Sequence, residues 1–134
     1  MSRAPLALHH MAEAIEKRTL LLSNHTEEEF RSDFVLTAAL ERLVEIVSEA
    51  SRRVEPAWKA EHPHIPWREI AGIGNILRHD YDAVHIDVLM RLKGIPLSEL
   101  ERAVQTLLET YDPEGLEMKS RLFPKGPRAD GTRE

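Results

Sequence analysis

"DFVLTAALERLVEIVSEASRRV", residues 33–54, decides the fold. Leu36, Leu40, Leu43, Val47 and Ala50 recur at three- and four-residue intervals, while Glu41, Glu45 and Glu49 recur on another face. A helix turns about every 3.6 residues, so this pattern lays one apolar stripe along a cylinder and keeps the acids off it. A half-buried strand would instead alternate apolar and polar residues, and no segment of the chain does so. The stretch is read as the central core helix of an all-α, compact up-and-down bundle.

The flanking segments extend the same pattern. Leu8, Met11, Ala12, Ile15 and Leu22 predict an amphipathic helix over about residues 6 to 22, after Pro5. Thr26 and Glu29 have capping-box spacing and open a short second helix. "EPAWKAEHPHIPW" (55–67) carries Pro56, Pro63 and Pro66, which makes it a connection with one helical turn. The next helix, about 67 to 80, draws its buried face from Trp67, Ile70, Ala71, Ile73 and Leu77, and its two glycines, Gly72 and Gly74, point to close packing. "IDVLMRLKG" (86–94) is helical up to Gly94, and a last long helix starts near Ser98, whose spacing to Glu101 repeats the capping box. Residues 112–134 hold three prolines, three glycines and five charges of each sign, and are read as a flexible tail to a domain of residues 1–111.

Composition narrows the function. A chain of 134 residues, 42% hydrophobic and 31% charged, fits one soluble globular domain. Its formal charge of -5 argues against a general nucleic-acid coat but leaves room for a local basic pocket. The absence of cysteine excludes disulfides, thiolate catalysis and Cys-ligated zinc. The N-terminal apolar stretch is broken by His9, His10, Glu13, Glu16, Lys17 and Arg18, unlike a signal peptide, and no apolar run approaches a membrane span. The expected location is the cytoplasm.

Chemistry concentrates in "GNILRHDYD" (74–82), where Arg78, His79, Asp80, Tyr81 and Asp82 follow an apolar run. On a helix, Arg68, Gly72, Asn75 and His79 share one face around a position without a side chain, a spacing that equally describes a solvated face. Arg68 stands about 16 Å from His79 along the axis. Convergence of His79 and Tyr81 requires the helix to end near Asp80, or a second subunit to complete the site. Histidine is suited to acid or base work near neutral pH, arginine to stabilising charge on a phosphate, and Asn75 to donating a hydrogen bond. RNA cleavage needs little more, because the 2′-hydroxyl is an internal nucleophile. His62 and His64 in "HPH" read as polar surface, with no HExxH or aspartate-rich loop beside them, so neither a metal nor a cofactor is expected. Glu45 and Glu49 read as solvated, or Glu49 as the partner of Arg52 or Arg53.

Three stretches carry a family resemblance: "PWREIAGIGNILRHDYDAVHIDVL" (66–89), "FRSDFVLTAALERLVEIVSEASRRV" (30–54) and "EHPHIPWREIAG" (61–72). Together they resemble the HepT-like family of HEPN-domain toxins over roughly residues 8 to 110. The resemblance implies a homodimeric bundle with a cleft at the subunit interface, acting as a metal-independent endoribonuclease toxin in a type VII toxin–antitoxin system. The substrate class it implies is tRNA or mRNA. Its implied partner is an MNT-type nucleotidyltransferase antitoxin that neutralises the toxin by AMPylation of the motif tyrosine. The family motif is Arg, four to six residues, His, one residue, Tyr. His79 and Tyr81 match its last two members, and Asn75 matches the polar residue that often follows the arginine. Position 74, where that arginine would stand, holds glycine. Arg78 is then the candidate cation, with Arg68 and Asp80 as supporting residues. The competing expectation is a binding module of the same fold that complexes a nucleotidyltransferase, or holds nucleotide or RNA without cleaving it.

Overall fold

The computed structural model describes residues 4–79 and 84–124. Among these residues the chain forms eight α-helices and no strand. The helix expected at 33–54 is α3 (Phe34–Ser51), opened by the Asp33 carboxylate, which accepts the Val35 N–H at 2.9 Å. Its buried arc is wider than the leucine stripe. Leu40, Val44, Val47 and Ala50 are buried, as are Ser48 and Ser51, whereas Leu36 and Leu43 are only half-buried. The cause is tertiary: α3 is covered on one side by α1 (Ala4–Ser23) and on another by α5 (Trp67–His79), both antiparallel to it.

A main core joins α1, α3 and α7 (Leu97–Tyr111) through Leu8, Met11, Ile15, Val47, Leu100 and Leu107. A second core lies under α2 (Glu27–Ser32), α5 and α6 (Val84–Arg91), and includes Phe30, Leu40, Val44, Ile73, Leu77 and Leu89. The capping box expected at Thr26 is present, with the Thr26 hydroxyl and the Glu29 carboxylate exchanging bonds with each other's backbone N–H. Glu27 then ties α2 to α6 by accepting from Arg91 at 2.7 Å and from Arg31 at 2.9 Å, and these two hydrogen bonds hold its carboxyl below the usual carboxylate range. The remaining short helix, α4 (Pro56–Ala60), brings Trp58 into the main core.

Two expectations need correction. The last long helix does start next to Ser98, at Leu97, but its N-cap is Pro96 and no Ser98 capping box forms. Ile95 and Leu97 both pack against the cores, and their burial starts the helix ahead of the serine. The segment read as a flexible tail contains α8 (Pro113–Leu122). Pro113 sits in its first turn, and the Asp112 carboxylate accepts the Gly115 N–H at 3.2 Å in space that a Cβ at 115 would occupy. The same carboxylate bonds His9 Nε2 at 2.7 Å, which fastens the start of α8 to α1. Composition averages over such local contacts. Residues 125–134 lie outside the described residues.

Arg18 is another departure. Grouped by sequence with the charges that break an apolar stretch, it is buried, and its Nη2 donates to the carbonyls of Leu89 and Met90 at 2.9 and 2.8 Å. These are carbonyls at the end of α6, which a helix terminus leaves without intrahelical partners. Burial lowers the guanidinium's pKa, yet an arginine stays charged. Just beyond, Leu92 takes a left-handed φ of 51° within a 3-10 turn (Leu92–Gly94) that leads to α7. No helix among the described residues is long and apolar enough to cross a membrane.

Candidate functional site

α5 carries the motif. Its start is fixed by Trp67, whose Nε1 donates to the His62 carbonyl at 3.0 Å, and by Ile65, which is buried in the main core. The His62 and His64 rings meet edge to face with centroids 5.9 Å apart, and among the described residues no three His, Asp or Glu converge as a ligand set. Ile70, Ile73 and Leu77 face inward, so the helical phase turns Arg68, Asn75 and Arg78 to solvent. Of the expected face, Arg68 and Asn75 are exposed and Gly72 is half-buried. His79 is the last residue of α5, but its side chain lies outside the described residues, as do Asp80 and Tyr81.

The two glycines differ. Gly72 has no neighbour within 4 Å of where a Cβ would be. Gly74 is buried against α3, and a Cβ there would stand 3.2 Å from Ser48 Oγ and 3.6 Å from Arg78 Nη1. The Ser48 hydroxyl cannot easily yield, because it donates to the Ala71 carbonyl at 3.0 Å and accepts the Gly74 N–H at 3.0 Å. Gly72→Ala is thus expected to raise stability by about 1 kcal/mol through helix propensity. Gly74→Ala should show no such gain, and urea melts of the two variants check the difference.

Arg78 folds back over Gly74, so its head lies where the first atom of a side chain at 74 would be approached. Arg68 is ten residues earlier, about 15 Å along the axis, and the structure does not bring the two together within the chain. Sequence reasoning missed Ser48 and Arg52. Arg52, one of two arginines read as a possible partner of Glu49, crosses to α5 and donates to the Ala71 carbonyl from Nε at 3.2 Å and Nη2 at 2.8 Å. The one available signal was a serine inside the apolar arc of α3 and a glycine on the next long helix. Neither Arg52 nor Arg78 forms an ion pair with a described residue. A cavity of about 370 Å³ exists elsewhere, between α1 and α3, bordered by Glu13, Lys17, Arg42 and Arg53. It has no α5 residue in its wall.

Comparison with known proteins identifies a family. Residues 11–107 match the family model described as Ribonuclease HepT-like, a span from within α1 to within α7. A putative RNase of Caldanaerobacter subterraneus is 34% identical over 104 residues, covering 76% of this chain and 91% of that protein. A probable ribonuclease HepT of Thermococcus cleftensis is 37% identical over 84 residues, covering 63% of this chain and 76% of its own length. A Methanocaldococcus jannaschii protein named as a gamma-glutamylcyclotransferase and putative RNase is 27% identical over 105 residues, covering 78% of this chain but 47% of that protein. No solved structure matches the chain.

Proposed function

The chain belongs to the HepT-like ribonuclease family, and on that footing we propose that it is the toxin of a type VII toxin–antitoxin system, a metal-independent endoribonuclease acting as a homodimer. His79 takes the proton of a 2′-hydroxyl as that oxygen attacks the adjacent phosphorus. The bond to the 5′-oxygen breaks, leaving a cyclic phosphate, and the leaving oxygen takes a proton from an imidazolium. Arg78 stabilises the charge that develops on the phosphate oxygens, and Asn75 orients the phosphate.

One observation carries this assignment: the Arg78 guanidinium lies against the vacant side-chain position of Gly74, 3.6 Å from where its Cβ would be. The family's arginine is missing from position 74, but a cation is held over that turn of the helix. Asn75 and Arg78 are also exposed on the face that an RNA chain can reach.

Neutralisation is assigned to an MNT-type nucleotidyltransferase. The Tyr81 hydroxyl attacks the α-phosphate of ATP, pyrophosphate leaves, and the resulting AMP ester adds bulk and negative charge next to His79. A phosphate site is then blocked by both occlusion and repulsion.

The test is to induce the chain alone in a bacterial host beside His79→Ala, following growth and total RNA together. Growth arrest with degraded RNA from the parent, and neither from His79→Ala, is the expected result. Intact RNA and normal growth from the parent would overturn the nuclease assignment in favour of a binding module. Co-expression with a transferase partner should add the mass of AMP to the peptide containing Tyr81.

A further inference from the structure

We propose that Arg52 is a second phosphate-binding residue, gripping the RNA backbone together with Arg78; this rests on the ribonuclease assignment above. Arg52 follows the last turn of α3 as its C-cap, and its side chain spans the gap to α5. Two of its five N–H donors are spent on the Ala71 carbonyl, which leaves three. The side chain is exposed, so a ligand can reach it from solvent.

Ala71 and Gly74 are one helical turn apart, about 4.5 Å along the axis. One guanidinium is fastened at the first and another lies over the second. The buried Ser48 hydroxyl bonds both Ala71 and Gly74 on this stretch of α5. Two like charges on adjacent turns repel, and no described carboxylate pairs with either. Glu49 borders the cavity on the α1 side of α3, Glu45 is held by Arg42 at 3.6 Å, and Glu69 is exposed on α5 without an ion pair to Arg52. An anion with several acceptor oxygens relieves the repulsion, and a phosphodiester on single-stranded RNA supplies it. The tether to Ala71 also restricts the Arg52 head before RNA arrives, which reduces the ordering that binding must impose.

Purified full-length chain, with Arg52→Gln and Arg52→Lys, would be titrated with a 2′-O-methyl RNA oligonucleotide that cannot be cleaved, over a series of salt concentrations. Cleavage of unmodified RNA and thermal melting would be measured in parallel. Glutamine can still donate to the Ala71 carbonyl but has no charge. Arg52→Gln should therefore bind about tenfold more weakly and reduce the slope of log affinity against log salt by about 0.7, the amount of one phosphate contact on a single strand. Arg52→Lys loses the two-pronged tie but keeps its charge, so it should keep the slope.

An interhelical tie with no contact to RNA predicts a different result: Arg52→Gln melts lower and its salt slope equals that of the parent. That result overturns the proposal, as does loss of the slope in Arg52→Lys at an unchanged melting temperature. A parent chain that binds but does not cleave sinks the ribonuclease assignment, while the Arg52→Gln slope still decides the contact. A parent that does not bind RNA overturns both.

Discussion

Arg78→Ala is expected to lower the rate of RNA cleavage at saturating substrate by about 10²–10³-fold, the usual loss when one preorganised donor to a developing oxyanion is removed. The thermal midpoint should move little, because Arg78 is exposed and an exposed substitution usually changes stability by less than about 0.5 kcal/mol. A loss confined to KM would instead mean that Arg78 attracts RNA in the ground state and does nothing more at the transition state. Restoring an arginine at the family position should not rescue the variant. A side chain at 74 starts with a Cβ 3.2 Å from Ser48 Oγ, a hydroxyl pinned by two hydrogen bonds, so Gly74→Arg in the Arg78→Ala background forces α5 away from α3. Single-turnover cleavage together with circular-dichroism melts would decide the matter. Recovery of wild-type rate in the double variant would show that the α3–α5 contact tolerates a side chain at 74.

The largest stability loss is expected at Phe30. It is fully buried among Leu40, Val44, Ile73, Leu77, Leu89 and Leu92, although it belongs to a helix of only six residues. Such a helix has little stability by itself, so α2 stays in place through this ring, its capping box and the Glu27–Arg91 pair. Phe30→Ala removes the ring and leaves a cavity, at a cost of about 3–5 kcal/mol. That is a large part of the roughly 5–15 kcal/mol available to a domain. Because the second core lies beneath α5 and α6, the loss should also loosen the helices on either side of His79 and Tyr81. Urea denaturation measures the cost. A change below about 1 kcal/mol, the size expected of an ordinary surface substitution or less, would mean that α2 is not what closes this core.

Much of the fold was legible because burial leaves a period in the sequence. The apolar repeats of α1, α3, α5 and α7 were read within a few residues of their ends, and the Thr26–Glu29 capping box formed as its spacing required. Failures came where a local signal met a competing contact. Ser98 had the right spacing to be a cap, but burial of Ile95 and Leu97 started the helix earlier. The proline, glycine and charge content of 112–134 concealed α8, whose initiation depends on Asp112, a single residue shared between a cap and His9.

The motif itself was visible from residue order: which residue types follow one another at 74–82, and that position 74 lacks the arginine, needed no coordinates. The outward direction of Arg68 and Asn75 also followed from helical phase, opposite the inward Ile70, Ile73 and Leu77. What the sequence by itself determined is thus periodic or contiguous: the helices, their inner faces and the order of the motif. Only the tertiary structure decided that Gly74 meets Ser48 and that Arg52 reaches Ala71. The Ser48 and Arg52 contacts join residues 19 to 26 positions apart, and their partners are chosen by how deeply α5 settles against α3, a distance that no repeat along one helix encodes.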